Sequence, residues 1–415
     1  MMMKNQPFLK QVPEVLAPAG DYECLQAAVR FGADAVYLGA TRFGMRASSA
    51  TFTEELLRGG VELAHQNGAR VYLTCNTIPT NEEIDAFPEF LREVGKTGVD
   101  ALIVTDFGVL SLVKKHLPEM EVHVSTQAGV VNYLTASELY RMGAKRVVLA
   151  RELSLDDIAR IRENTPPELE IETFVHGAMC VSFSGRCLLS SYLTGRDANR
   201  GECAQPCRWG YHLVEEKRPG MYFPVEEREE GTYILNAKDL CMIEHIDKLI
   251  RAGVTSLKIE GRAKSSYYVS VVTNAYRNAV DLYREDPEHF TLPQWIADEM
   301  KKVSHRQYST GFYFGRPESG QYYETGGYVR GYDVAALVDD YAGGFLCCTQ
   351  KNKFSVGDEL ELLEPKAGMQ TFTVNELYAE DGTVLESVPH PQMKFKIPFK
   401  VPVKPGSILR KARTE

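Results

Sequence analysis

The sequence of 415 residues is informative first for what it lacks. No apolar run approaches the roughly 18 residues that a membrane-spanning helix needs. The first 14 residues contain no apolar stretch typical of a secretory signal peptide. We therefore expect a cytoplasmic protein with no membrane partner, in which cysteine thiols stay reduced.

Motifs of two common hydrolase classes are also missing. The sequence has no His-Glu-x-x-His motif, which would place zinc ligands on one helix face, and no Gly-x-Ser-x-Gly nucleophile elbow. A large basic excess is absent as well, because the net charge is −9 and the isoelectric point is about 5.6. This excludes coating of nucleic acid by the whole surface, while a local basic patch remains compatible with the composition.

Eight short apolar runs recur through the first part of the chain, beginning at Glu14, Ala35, Val71, Ala101, Glu121, Arg146, Glu170 and Ser256. Most are apolar at consecutive positions, as is typical of parallel strands buried on both faces. Amphipathic segments lie between most of them, and several end in a glycine of the kind that terminates helices (Gly32, Gly68, Gly143, Gly253). The pattern predicts the α/β class and a (β/α)8 TIM-like barrel, with an open doubly wound sheet as the alternative.

One connection in this pattern is much longer than the others. It occupies about residues 176–250, between predicted strands seven and eight. In a barrel such an insertion leaves from the C-terminal face, where active sites lie. We predict a barrel domain over residues 1–325 and, after a change in composition near Gly326, a small C-terminal β-barrel over residues 326–415.

Five cysteines lie in this insertion, with 6, 15, 3 and 33 residues between successive members: Cys180, Cys187, Cys203, Cys207 and Cys241. Thiolates gathered in this way in a reducing compartment usually hold a metal or a cluster. We favour Cys180, Cys187, Cys203 and Cys241 as ligands and keep Cys207 in reserve. The wide spacing and a glycine-containing turn favour an iron–sulfur cluster, with a zinc site or buried inert thiols as alternatives. The other four cysteines are interpreted as core or incidental residues.

The segment around these cysteines resembles a known family. FVHGAMCVSFSGRCLLSSYLTGRDANRGECAQPCRW is similar to the signature of peptidase family U32, the collagenase-like peptidases. APAGDYECLQAAVRFGADAVYLG and SLKIEGRAKSSYYV resemble two further blocks, so that the similarity covers about residues 13–410. Within the family, the chain is most similar to the branch that acts on tRNA.

This resemblance implies a function and a cofactor. It implies a [4Fe–4S] cluster on Cys180, Cys187, Cys203 and Cys241, with Cys207 as the substitute ligand. It also implies hydroxylation of the wobble uridine in the tRNA anticodon loop to 5-hydroxyuridine, without O₂ and with prephenate as hydroxyl donor. Alternatives are a hydroxylase of ribosomal RNA or of a quinone precursor, a peptidase, and a noncatalytic RNA-binding or cluster-carrying protein.

A dicarboxylate donor needs cations to bind it, and arginine suits carboxylate oxygens. Arg46, Arg151 and Arg262 each follow a predicted strand end, and Arg186 lies in the cysteine loop. Arg262 and Arg186 are predicted catalytic residues, whereas Arg46 and Arg151 are predicted to bind the donor. Alternatively, Arg151 and Arg262 pair with the glutamates near them in sequence. Lys258 and Lys264 flank the same end of strand eight and are expected at the same face.

His176, four residues before Cys180, is a further catalytic candidate. It is interpreted as a group near the cluster or as a strand-end histidine bonded to backbone. A Cys180–His176 pair is also what a cysteine peptidase would use. Five more residues at predicted strand ends could line the pocket: Tyr37, Asn76, Asp106, His123 and Gln127.

The C-terminal segment contains a second basic feature. Between Lys394 and Arg413 there are seven lysines or arginines and no acid, with Phe395 and Phe399 interleaved. Basic groups contact phosphate and aromatic rings stack on unpaired bases, so this segment predicts RNA binding by the C-terminal domain. The alternative is an ordinary alternating β-strand with a solvated lysine face.

Overall fold

Eight parallel strands form the centre of the N-terminal domain in the computed structural model, which describes residues 12–40, 42–44, 52–180, 187–196, 198, 201–208, 226–228, 231–233, 238–315 and 329–413. The strands up to residue 309 are β1 Glu14–Pro18, β2 Ala35–Gly39, β3 Arg70–Cys75, β4 Ala101–Val104, β5 Glu121–Val124, β6 Arg146–Val148, β7 Glu170–Gly177, β8 Glu226–Arg228, β9 Gly231–Tyr233, β10 Asp239–Cys241, β11 Ser256–Ile259 and β12 Tyr308–Ser309. All eight predicted strands are present, as β1–β7 and β11.

Strand β11 closes the barrel. It pairs in parallel with β1, where Ser256 is opposite Glu14, and with β7, where Ser256 is opposite Glu172. The remaining neighbours follow chain order from β1 to β7. The predicted (β/α)8 barrel is therefore confirmed, and the open doubly wound sheet is excluded because β7 and β11 are joined.

The described α-helices are α1 Tyr22–Arg30, α2 Glu54–Gln66, α3 Asn81–Val94, α4 Phe107–His116, α5 Tyr133–Arg141, α6 Leu155–Glu163, α7 Leu189–Thr194, α8 Ile246–Arg251, α9 Ser266–Glu285 and α10 Gln294–Glu299. Helices α1–α6 each begin after a side-chain cap, and Thr80 and Ser154 form capping boxes with Glu83 and Asp157. Because each of these helices follows a barrel strand along the chain, its N-terminus lies at the same rim as the carboxyl ends of the strands. Among the described helices, none is both long and apolar enough to cross a membrane.

Glycine ends several of these helices for a steric reason. Gly253 has a φ of 89°, and a Cβ atom there would lie 2.3 Å from Cγ of Arg162. Gly32 has a φ of 101°, and its Cβ would lie 2.6 Å from Cγ of Arg277. Both the left-handed backbone and the neighbouring arginine stem require the absence of a side chain.

Buried charges occupy part of the barrel interior, next to a small apolar cluster that includes Tyr37 and Tyr72. Arg146 Nη1 donates to Glu14 at 2.7 Å and to Glu172 at 2.9 Å. The ammonium of Lys258 donates to the other oxygen of Glu172 at 2.6 Å. Because burial of an unpaired charge costs free energy, each of these charged side chains needs its partner in the folded protein.

The cysteine-bearing insertion leaves from β7 and returns to it. Strand β10 runs antiparallel to the end of β7, with Leu240 opposite Gly177 and Cys241 opposite His176. Strand β12 then pairs in parallel with β10. The insertion between the seventh and eighth barrel strands is confirmed, and both of its ends are fixed at the barrel mouth.

The C-terminal domain consists of antiparallel strands: β13 Tyr332–Ala342, β14 Phe345–Gln350, β15 Phe354–Ser355, β16 Glu359–Leu363, β17 Met369–Thr373, β18 Leu377–Ala379, β19 Val384–Leu385, β20 Ser387–Val388, β21 Lys394–Pro398 and β22 Ile408–Ala412. Eight of them form one sheet in the order β17-β16-β22-β13-β14-β21-β18-β19, and β15 pairs with β20. The C-terminal β-domain, predicted as a small β-barrel, is confirmed as an antiparallel sheet domain with its own apolar core.

A buried ionic cluster joins the two domains. Arg410 on β22 is completely buried and lies 2.5 Å from Glu299 of α10 and 2.7 Å from Glu361 of β16. Lys302 pairs with the same two glutamates at 3.0 and 2.8 Å. Two cations and two anions are thus matched at the interface, and this fixes the position of the sheet against the barrel.

We predict that Arg410→Ala lowers the free energy of unfolding by about 3–5 kcal/mol, because it leaves two glutamates facing one lysine in a buried site. Chemical denaturation followed by circular dichroism measures the change. In the control Lys394→Ala, which removes a half-exposed pair with Asp339, the loss is expected to stay within about 1 kcal/mol. Equal losses in the two variants would contradict the role of the cluster.

We also predict an acid-dependent loss of stability from Glu172. Burial opposes its ionisation, but Lys258 and Arg146 outweigh burial and lower the pKa of Glu172 to about 2. Since this is below the pKa of about 4.3 in an unfolded chain, the stabilisation is complete above that pH and is lost as the pH falls toward 2. Urea midpoints measured across this window should depend on pH less steeply in Glu172→Gln than in the parent protein.

The matched control for this experiment is Glu138→Gln, on an exposed helix face beside Arg141. It should reproduce the parent pH dependence. If Glu172→Gln also shows the parent pH dependence, the interior ion pairs do not keep Glu172 ionised in the folded protein.

Candidate active site at the barrel mouth

Arg262 lies across the floor of the barrel mouth, three residues after β11. Its Nη1 donates to Thr74 Oγ1 at 3.0 Å, and its guanidinium carbon is 5.8 Å from the centroid of the Tyr37 ring. Tyr37 donates its hydroxyl to the carbonyl of Ile259 at 2.9 Å. Arg262 is only 8% exposed, so its charge acts in a site from which most water is excluded.

Two glycines allow the turn that carries Arg262 to approach the neighbouring strands. A Cβ on Gly20, after β1, would lie 1.9 Å from the carbonyl oxygen of Arg262. Gly177, at the end of β7, has a φ of 105°, and its Cβ would lie 2.3 Å from the carbonyl oxygen of Glu260. The turn is therefore packed between the ends of β1 and β7, which restricts where the guanidinium can lie.

Arg151 lies near the same face but has different contacts. Its Nη1 donates to the carbonyl of Ala178 at 2.8 Å, and its guanidinium carbon is 3.8 Å from the centroid of the Phe174 ring. The contact with Ala178 ties Arg151 to the start of the insertion, two residues before Cys180. The other two predicted arginines, Arg46 and Arg186, lie outside the described residues.

The expectation that Lys258 lies at the rim is wrong. Lys258 is 4% exposed and points into the barrel toward Glu172, because position 258 of β11 faces the interior. Burial lowers its pKa, while Glu172 opposes that shift. Lys264 remains at the edge of the mouth, where its ammonium donates to the carbonyl of Ser304 at 3.0 Å.

The other residues predicted at strand ends lie in different environments. Asp106 caps α4 by accepting from the amide of Val109 at 3.0 Å. His123 is completely buried inside the barrel, with its ring 4.6 Å from that of Tyr72, and burial lowers its pKa. Gln127 is buried and accepts from Thr105 at 3.3 Å. Asp106 is thus used by a helix and His123 by the core, whereas Tyr37 lies on the floor of the mouth.

His176 lies in an aromatic pocket under α9. Its ring centroid is 5.2 Å from that of Tyr308, 5.7 Å from that of Tyr276 and 6.0 Å from that of Tyr268. Its Nε2 is 3.3 Å from the Tyr308 hydroxyl, and burial lowers the pKa of His176 to about 3. Such a ring is neutral at pH 7 and too weakly basic to favour the thiolate of a peptidase nucleophile. This pocket was not visible in the sequence, because Tyr268, Tyr276 and Tyr308 lie about 90–130 positions away.

Two cysteines of the insertion lie where it leaves and rejoins β7. Cys180 follows the end of β7 and is exposed, while Cys241 ends β10 directly opposite His176. The ladder therefore places Cys241 beside the strand end from which Cys180 follows. Cys203 is exposed and its sulfur accepts from the amide of Gln205 at 3.4 Å, whereas Cys187 and Cys207 are half-buried.

The donor set suits a soft metal or an iron–sulfur cluster, because all nine cysteines, each within the described residues, are outside disulfides. Among the described residues, no three side chains of His, Cys, Asp or Glu are grouped closely enough to hold a metal ion. Residues 181–186 and 209–225, which connect the thiols, lie outside the described part of the chain. The predicted ligand set of Cys180, Cys187, Cys203 and Cys241, with Cys207 in reserve, therefore stays a prediction.

The basic C-terminal segment is largely used within the protein. Phe395 is 1% exposed and packs in the domain core, so it cannot stack on a base. Arg410 is buried at the domain interface, and Lys394 pairs with Asp339. Strand β21 alternates between exposed and buried positions, as the alternative interpretation expected.

We predict that the thiols of protein stripped of metal differ in their rate of alkylation. Although Cys241 is partly exposed, burial of its surroundings raises the pKa of its thiol to about 12, so little thiolate forms at pH 8. Iodoacetamide should therefore modify the exposed Cys203 well before Cys241. Mass spectrometry of timed samples checks this order, with the buried Cys75 as an unreactive control. Modification of Cys241 before Cys203 would contradict the described burial.

Comparison with known proteins agrees with this architecture. The chain is 38% identical over 415 residues to "tRNA hydroxylation protein P1" of Bacillus subtilis (strain 168), covering 99% of this chain and 98% of that protein. It is 38% identical over 419 residues to "tRNA hydroxylation protein P" of Escherichia coli (strain K12), covering 91% of each. It is also 38% identical over 291 residues to a 23S rRNA 5-hydroxycytidine synthase of Escherichia coli (strain K12), covering 68% of this chain and 43% of that protein.

Two family models match consecutive parts of the chain, and the matched ranges correspond to the two domains. Residues 20–322 match "Peptidase family U32", and residues 330–410 match "Peptidase family U32 C-terminal domain". The first match begins just after β1 and includes the other seven barrel strands and the whole cysteine-bearing insertion. The chain therefore belongs to peptidase family U32.

Proposed function

We propose that this protein is an RNA hydroxylase that converts the wobble uridine of tRNA to 5-hydroxyuridine at the barrel mouth. The observation that carries this proposal is the 38% identity, over almost the whole chain, to proteins named for tRNA hydroxylation. A relative named as a 5-hydroxycytidine synthase of ribosomal RNA supports the same reaction class. Because that relative is matched over only 43% of its length, tRNA is favoured over ribosomal RNA as the substrate.

The cofactor in this proposal is a [4Fe–4S] cluster held by Cys180, Cys187, Cys203 and Cys241, with Cys207 as the reserve ligand. Support comes from the type of donor and from the ladder that brings Cys241 beside the end of β7. When bound, such a cluster would supply electron transfer or polarisation of the oxygen donor.

The residues of the chain would bind and orient the two substrates. Arg262, held by Thr74 over Tyr37, would bind a carboxylate of a dicarboxylate donor such as prephenate. Arg151, together with Arg46 and Arg186, would bind the second carboxylate. The uridine would have to leave its stack and enter the mouth, as bases do in other enzymes that modify them.

A peptidase is a weaker interpretation, despite the family description. A cysteine nucleophile needs a base, and the histidine nearest to Cys180 in sequence has a pKa lowered by burial to about 3. The geometry therefore supports the hydroxylase over the peptidase.

The test is the level of 5-hydroxyuridine in tRNA from cells in which this protein is the sole source of the modification. We expect Cys180→Ala to reduce the modified nucleoside at least about tenfold, because a ligand of the cluster is lost. Mass spectrometry of digested tRNA measures it, and iron and sulfide analysis of anaerobically purified protein should show a parallel loss.

Cys347→Ala is the matched control, since Cys347 lies half-buried on β14 in the C-terminal domain. It should retain both the modification and the iron. Unchanged 5-hydroxyuridine in Cys180→Ala would refute the catalytic role of the cysteine insertion.

A further inference from the structure

A cavity of about 820 Å³ lies between the barrel and the C-terminal domain. The barrel contributes the end of α1, the turn between β11 and α9, and the first turn of α9. The C-terminal domain contributes β13, the turn after β14 and the end of β22. Ala178, Gln205 and Glu260 also line the cavity, so it extends to the barrel mouth and to the cysteine-bearing insertion.

The charge of this cavity is opposite to that of the whole protein. Five cations and three acids line it: Arg30, Lys264, Arg330, Lys351 and Arg413, against Glu23, Glu260 and Asp333. The protein as a whole has a net charge of −9. An excess of two positive charges in an acidic protein points to a negatively charged ligand.

Three of these cations are not neutralised by an ion pair with any residue that the structure describes. Arg413 forms a two-contact pair with Asp333, at 2.6 and 3.0 Å. By contrast, Arg30, Arg330 and Lys351 form no ion pair within the part of the chain that the structure describes. Helix α9, which is 20 residues long, also begins at the cavity after its cap Ser265, and the positive end of its dipole adds to the same field.

The two walls of the cavity are held at a fixed separation. The buried cluster around Arg410 joins the domains, as described above. On the other side, the guanidinium of Arg30 on α1 packs against Gly406, where a Cβ atom would lie 2.1 Å from Nη1. The cations of the two domains therefore line one preformed groove and do not belong to independently moving bodies.

We propose that this cavity binds the phosphodiester backbone of the RNA on one side of the base that enters the barrel mouth. The inference rests on the proposed function, and it adds the path of the polynucleotide. Arg30, Arg330 and Arg413 are exposed and Lys351 is half-exposed, and they come from four separate elements of both domains. Cations spread along a groove suit successive phosphates, whereas a small carboxylate ligand needs groups that converge on one point.

The test compares two double variants that remove the same charge. Arg330→Gln with Lys351→Gln removes the two unpaired cations that the C-terminal side of the cavity contributes. Lys115→Gln with Lys353→Gln removes two exposed lysines that do not line it. Binding of a fluorescent tRNA transcript to the full-length, anaerobically purified protein is measured between 50 and 200 mM KCl, about the range in which phosphate contacts change affinity most visibly.

We expect the cavity variant to bind tRNA about tenfold or more weakly, with a salt dependence shallower by about one to two phosphate contacts. The control variant should keep the affinity and salt slope of the parent protein. A polyglutamate peptide should compete poorly, because its carboxylates lack the spacing of a nucleic acid backbone. Equal affinity in both variants, preferential binding of polyglutamate, or no tRNA binding by the parent protein would overturn the proposal.

The same preparations distinguish this inference from the proposed function. If the cavity variant binds tRNA as tightly as the parent and the parent forms 5-hydroxyuridine, the path of the RNA is wrong and the function stands. If the parent binds tRNA through the cavity cations but forms no 5-hydroxyuridine, the path stands and the function is wrong.

Discussion

The pairing of β11 with both β1 and β7 is the constraint on which the site depends. It closes the barrel, and it brings together residues that lie more than 200 positions apart in the chain, such as Gly20 and Arg262. The turn after β11 can enter the space between its neighbours only because Gly20 and Gly177 have no side chains. Barrel closure therefore also decides where the guanidinium of Arg262 lies.

Buried ion pairs form two clusters in this protein, one inside the barrel and one between the domains, and both fix the positions of elements near the proposed site. Inside the barrel, Glu172 is shared between Arg146 and Lys258 beneath the mouth. Between the domains, Arg410 and Lys302 share Glu299 and Glu361. Ion pairs of this kind are weak evidence for net stability, since desolvation offsets most of their attraction. Their consequence here is geometric, because each charge must meet a specific partner, and this leaves one arrangement of barrel, sheet and cavity.

The insertion and the C-terminal domain lie on the same side of the barrel mouth. Strand β10 brings Cys241 back to the end of β7, and the interdomain cavity begins at Ala178, between that strand end and Cys180. In the complex that we propose, the phosphates next to the base in the mouth would lie along Arg330 and Lys351. The family description names a peptidase, but the described environment of His176 provides a neutral ring among tyrosines rather than a base.

The eight barrel strands, the place of the insertion and the β-rich C-terminal domain could all be predicted from sequence patterns. Apolar runs and helix-ending glycines predict elements from neighbouring positions in the chain, and the folded protein contains those elements. Which charged residues are exposed and which are buried depends on the tertiary packing. Lys258 and Arg410 resemble surface cations in the sequence, yet both are buried against glutamates that are distant in the chain. The tyrosine pocket of His176, and the cavity that contains both Arg30 and Arg330, form only when separate elements pack together. The reason is that strand and helix patterns depend on neighbours along the chain, whereas burial, pKa and ion pairing depend on neighbours in space.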